Sequence, residues 1–186
     1  MNPFFDPSNA SKSPVLFSTS HFIVLSVMFI IIALLYIYRN KNWMKSKGKW
    51  VLFSLLVLSE VGLNVWYFST EYWNVKYTLP FQLCSISMYL CIWMLLFKQK
   101  LVFEIVYFLG IGGATQALLT PELFYSFPHF RFLQFFIAHI CIIMAVLYMV
   151  WVEKYTITLS SLWKAFISLQ IIAALVYLIN RWTLGN

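Results

Sequence analysis

Charge is what this sequence has least of. Only 10% of its 186 residues are Asp, Glu, Lys or Arg, and just six are acidic. Soluble domains carry about 25% charged and about 45–50% apolar residues, whereas here the apolar share is 62%. A chain of this size folded in water leaves about 30% of its unfolded surface exposed, and so few charges cannot cover it. An ordinary water-soluble domain and a disordered chain are therefore excluded. Cysteine is scarce as well. Cys84, Cys91 and Cys141 all lie inside apolar runs, spaced neither as a disulfide framework nor as a metal knuckle, which excludes a disulfide-stapled secreted module. No internal repeat is visible, and no stretch between the apolar runs is long enough to fold by itself. A small polytopic membrane protein remains.

The apolar residues fall in long blocks. In hydrocarbon every peptide group must be satisfied within the protein, so a span is a helix or a strand of a closed barrel. Barrel strands alternate polar and apolar residues, and these blocks do not. Helical spans need about 20 apolar residues, and six runs fit: about 16–38, 50–68, 79–97, 101–119, 130–151 and 161–180. The expected fold is an all-α transmembrane helical bundle forming a single domain over 1–186. Its linkers are short, so consecutive helices should be antiparallel. Trp50, Trp66, Trp93, Trp151, Trp163 and Trp182 stand near run ends, as in an aromatic belt at the membrane interface.

Positive charge sets the orientation. Lys and Arg number 13, for a net charge of +7, and five of them (Arg39, Lys41, Lys45, Lys47 and Lys49) sit in the first loop. Basic loops stay cytoplasmic. Lys98 and Lys100 mark the same side, whereas Glu71 with Lys76, and Glu122, belong to the opposite loops. The N-terminus is therefore expected outside, and with six spans the C-terminus as well. The first run is too long for a cleaved leader, and the basic block after it reads as a stop-transfer signal. The preceding MNPFFDPSNASKSP reads as an external tail or a surface-lying segment. A nucleic-acid surface is not supported, because no aromatic-interleaved basic patch or zinc-finger spacing is present.

Polar residues inside spans are costly and usually face the bundle interior. Glu60, near the middle of the second span, has Asn64 one turn later on the same face, as an interhelical clasp or as a group that orients a catalytic residue or relays a proton. Cys84 lies in LPFQLCSIS, where Pro80 suits a first helical turn and the helix dipole favours a thiolate. It is either a small packing residue or a nucleophile. Gly110 with Ala114, and Gly113 with Ala117, give the small-residue spacing of close helix packing. Gln116 adds an amide that must find a hydrogen bond if buried. In FPHFRFLQFFIAH, His129 precedes the fifth span, Arg131 can snorkel or hold a phosphate, and Gln134 can line a cavity. His139, deeper along the same helix, is either a helix–helix bond or a general base. His21, near the outer end of the first span, joins this cluster or marks the interface.

His21, Cys84, Gln116, His129, Arg131 and His139 all fall in the outer half under one topology. A cysteine and a histidine sharing a partly enclosed bundle cavity could form a nucleophile–base pair, and Gln116 or Gln134 could steady a developing oxyanion. Metal binding is weaker, since no HExxH or close acid–histidine spacing occurs; no cofactor is implied. A small transporter or channel, or a non-catalytic membrane protein, would use the same polar residues without covalent chemistry.

LPFQLCSIS at 79–87, GIGGATQALLTPEL at 110–123 and FPHFRFLQFFIAH at 127–139 together resemble the YwaF-like family of bacterial integral membrane proteins, related to animal transmembrane protein 164. The resemblance runs from about residue 50 to the C-terminus. It implies a bacterial cytoplasmic membrane and a cysteine-centred acyltransferase that moves fatty acyl chains between phospholipids, with phospholipid and lysophospholipid as partners. By matching motifs, Cys84 is the implied nucleophile and His139 its base, while Gln116 and His129 match further family positions. The family usually has seven spans, one more than the six read here. The resemblance leaves head group, chain length and oligomeric state open.

Overall fold

A computed structural model describes residues 3–10, 14–74, 78 and 82–183. Lys76, expected in an outer loop, and Pro80, expected in a first helical turn, lie outside the described residues. The chain forms six α-helices: α1 (Thr19–Tyr38), α2 (Asn42–Ser69), α3 (Leu83–Phe97), α4 (Lys100–Leu119), α5 (Phe130–Trp151) and α6 (Leu159–Thr183). Five are long and apolar enough to cross a membrane; α3, with 15 residues, is shorter. The all-α polytopic bundle expected from the apolar runs is the observed architecture.

Local chemistry sets the boundaries. Ser18 caps α1 by accepting the His21 N–H, and the His129 side chain caps α5 by accepting the Arg131 N–H. Helix α3 stops at Lys98, whose φ of 51° places it in the left-handed region, and two residues later α4 begins. Helix α4 ends ahead of Thr120-Pro121, since the residue before a proline avoids the helical region. Helix α2 is the one large boundary difference. It starts at Asn42 rather than near Trp50, because the basic stretch continues the helix beyond its apolar part.

Helix α5 is the axis of the bundle. Buried residues lie all around it, from Phe132 and Phe136 through the continuous stretch Ala138–Val146 to Tyr148 and Met149, the pattern of a helix enclosed on every side. Helices α1, α2, α3 and α4 pack on α5, whereas α6 packs on α4. Helices α1 and α6 leave most of their apolar side chains exposed, among them Phe29, Ile30, Phe166, Ile167 and Leu175, as lipid-facing helices do. The small residues of α4 divide between two tasks. A Cβ on Gly110 would stand 3.3 Å from Ile142 of α5, so Gly110 and the buried Ala114 seat the central helix. Gly113 and Ala117 line a cavity instead.

The two ends of the bundle differ. The end carrying the 39–41, 98–99 and 152–158 connections holds the described lysines and is called here the basic end. The other, the tail end, is covered by the N-terminal segment. The Phe4 carbonyl accepts the Phe130 N–H at 2.9 Å, the Phe5 carbonyl accepts the Trp66 indole N–H at 2.8 Å, and the Pro7 carbonyl accepts the Tyr125 hydroxyl at 3.2 Å. The tail is thus a surface-lying strap whose carbonyls satisfy donors at the start of α5 and the end of α2.

Candidate functional site

Helices α2, α3, α4 and α5, with the segments flanking α3 and α4, line a half-open cavity of about 560 Å³. Six of the eight residues singled out in the sequence line it: Glu60, Cys84, Gln116, Arg131, Gln134 and His139. His21 and His129 do not. Cys84 is the second residue of α3, closer to the helix start than the full turn expected from Pro80. His139 is the tenth residue of α5, roughly 13 Å along its axis from the first. The cavity is deep enough to reach both.

The three histidines are distinguished by their hydrogen bonds. His21 is 1% exposed; its Nδ1 accepts the Phe17 N–H at 3.2 Å, so its Nε2–H donates to the Leu118 carbonyl at 2.8 Å. It clasps α1 to the end of α4. His129 is 3% exposed; its Nδ1 accepts the Arg131 N–H at 3.0 Å, so its Nε2–H donates to the Asp6 carbonyl at 3.2 Å. It ties the strap to α5, and its burial pushes its pKa below the usual imidazole value. Both rings have both nitrogens engaged. His139 differs: Nδ1–H donates to the Phe135 carbonyl at 2.7 Å, which fixes the tautomer that leaves Nε2 as an acceptor. Among the described residues Nε2 has no hydrogen-bond partner, and the ring lines the cavity that Cys84 also lines.

The remaining polar residues form a wall. Arg131 donates to the Gln134 Oε1, and its guanidinium stands 5.7 Å from the Trp66 and Tyr67 ring centroids. No described carboxylate forms an ion pair with it; the described pairs are Lys98–Glu153 and Lys164–Glu104. Gln134 donates through Nε2 to Ser59 Oγ at 3.3 Å, so both ends of its amide hold the wall together. Gln116 donates to Thr120 Oγ1 at 2.7 Å. Glu60 accepts at Oε1 from Asn64 at 3.2 Å and from the Tyr89 hydroxyl. Sequence reasoning missed Tyr89, because its role depends on α3 crossing α2 at that level, which no local pattern reports. Among the described residues, no group of three or more His, Cys, Asp or Glu could hold a metal ion.

The family model described as the TMEM164 family matches residues 16–186. The chain belongs to the TMEM164 family. The match includes every cavity residue named above. No curated protein and no solved structure matches the chain. For this TMEM164-family member, an integral membrane helical bundle with one chamber lined by a thiol, an imidazole and a guanidinium is the observed arrangement.

Proposed function

We propose that this protein is a cysteine-dependent phospholipid acyltransferase of the kind the YwaF-like resemblance implies, with Cys84 as nucleophile and His139 as its base. The observation that carries the reading is the free Nε2 of His139 in the chamber that Cys84 lines. His139 Nε2 takes the thiol proton as the sulfur adds to the carbonyl of an acyl ester. The ester C–O bond then breaks, and the departing lysophospholipid oxygen takes the proton back, leaving a thioester on Cys84. The hydroxyl of a second lysophospholipid resolves that thioester.

Arg131 supports a phosphate-bearing substrate. It is a fixed cation held by a neutral amide and two aromatic rings, with its fork free to match phosphate oxygens. The lysines of the basic end, with the positive-inside rule, support a cavity facing the outer side of a bacterial cytoplasmic membrane. The test is acyl transfer between labelled phospholipid and lysophospholipid by purified protein in nanodiscs. Cys84→Ser should abolish transfer while the protein keeps its thermal stability. Transfer retained by that variant would overturn the reading and leave a transporter or scaffold.

A further inference from the structure

We infer that Glu60 is the second proton-exchanging group of the cavity: it binds the hydroxyl of the acyl acceptor and takes its proton, while His139 serves Cys84. This inference rests on the thioester reading above and assigns the half of the reaction that reading leaves without a base.

The two oxygens of Glu60 are treated differently. Oε1 is held by two donors, Asn64 from the same helix and Tyr89 from α3. Oε2 is buried and has no partner among the described residues. The other such atom, Ser87 Oγ, belongs to a residue that does not line the cavity. A buried carboxylate oxygen without a donor is destabilising by about 1–3 kcal/mol or more, so a folded protein keeps one where a ligand supplies the donor. Arg131 lines the same cavity but forms no described ion pair with Glu60; both described ion pairs lie at the basic end. One oxygen fixed by the protein and one left bare is the geometry of a group that waits for an incoming O–H.

Position adds to this. Glu60 shares the chamber with Cys84 and His139, and Tyr89 stands on the helix that bears Cys84. The element that positions the nucleophile therefore also orients the carboxylate. The proton balance closes without a further reactant. After thioester formation His139 is neutral again. The acceptor O–H proton passes to Glu60 Oε2 as its oxygen adds to the thioester carbonyl. The C–S bond breaks, Cys84 leaves as thiolate, and the proton on Glu60 crosses the cavity to that sulfur.

The experiment separates the two half-reactions. Protein in nanodiscs receives phospholipid with a labelled acyl chain, then lysophosphatidylglycerol, an acceptor without an amine. Label is followed on Cys84 and on the acceptor. Glu60→Gln should form the thioester at the wild-type rate but pass it on slower by about 10²–10⁴-fold, the range of general-base contributions, so that label accumulates on Cys84. Tyr89→Phe, which removes one of the two donors that hold Oε1, should slow the passage of the thioester to the acceptor while leaving thioester formation at the wild-type rate. The inference is overturned if Glu60→Gln turns the thioester over within ~3-fold of wild type, or if the folded variant forms no thioester. If Glu60→Gln does not fold, wild-type thioester turnover in Tyr89→Phe overturns it. Absence of any thioester in wild-type protein ends the acyltransferase reading, and this inference with it.

Discussion

At the basic end, Glu104 and Glu153 each meet a lysine; toward the tail end, Glu60 and Arg131 line one cavity and do not pair. Glu104 is 3% exposed, and Lys164 Nζ lies 2.6 Å from its Oε2, joining α4 to α6. Glu153 takes Lys98 Nζ on both oxygens at 2.8 Å. The Tyr148 hydroxyl at the same end donates to the carbonyls of Met44 and Lys45. The charges there are spent on holding helices together. Among the described residues, the cavity keeps a cation outside any ion pair, a carboxylate oxygen without a donor and an imidazole nitrogen without a hydrogen-bond partner. Such groups lower stability wherever they are buried, so their concentration in one chamber separates the part of the molecule that can do chemistry from the part that keeps it folded.

The sharpest way to break this comparison is to unpair Glu104. Removing one member of a buried pair costs about 3–5 kcal/mol. Lys164 keeps 43% of its side chain exposed, so Lys164→Met should cost nearer ~2 kcal/mol, read as a lowered midpoint of thermal unfolding in nanodiscs. A midpoint equal to wild type would mean that the basic end does not depend on its ion pair.

Close packing at that end gives the next effect. A Cβ on Gly48 would sit 2.8 Å from the ring of the fully buried Tyr148. Gly48→Val should therefore destabilise by about 1–3 kcal/mol. A Cβ on Gly112 meets nothing within 4 Å, and Gly112→Ala should stabilise by about 0.5–1 kcal/mol. The same thermal measurement orders the pair, and the reverse order would contradict the close approach of α2 and α5.

At the tail end, the strap should respond to acid. Burial holds His129 below the usual imidazole pKa, so it is neutral when the strap is docked and binds a proton more readily once released. The released state then holds more protons between the docked pKa and about 6.5. Docking is thus at full strength above about pH 6.5 and weakens as the pH falls below it. Its neighbours do not titrate there: hydrogen bonds from Ser8 hold Asp6 low, burial pushes Tyr125 up, and Arg131 stays charged. A spin label at Asn9 should become more mobile between about pH 6.5 and 5, and His129→Asn should flatten that step. A label equally mobile at both pH values would disprove docking through the neutral ring.

The smallest effect on stability is expected where the effect on chemistry is largest. Glu60→Gln keeps a carbonyl for Asn64 and Tyr89 and removes charge from a position outside any described ion pair, so unfolding should change by less than about 1 kcal/mol. A loss as large as that of Lys164→Met would make Glu60 a structural clasp and erase the contrast between the ends.

The sequence by itself determined the class, the number of helices and most of their limits. Hydrocarbon forces each span to be one unbroken apolar helix, so the spans can be read as contiguous runs. It also placed Cys84, Gln116, Arg131 and His139 at a shared depth, and these four line one cavity, whereas His21 and His129, read at the same depth, do not. Only the tertiary structure decided that α5, somewhat less apolar than α1, is the buried axis while α1 faces lipid, because burial depends on which helices pack around a run. It alone separated His139 from His21 and His129. What frees or engages each ring is a carbonyl or amide supplied by Phe135, by Phe17 and Leu118, or by Asp6 and Arg131. Leu118 stands 97 residues from His21, and Asp6 stands 123 from His129. No local pattern reports contacts across such distances, since they exist only once the helices have packed.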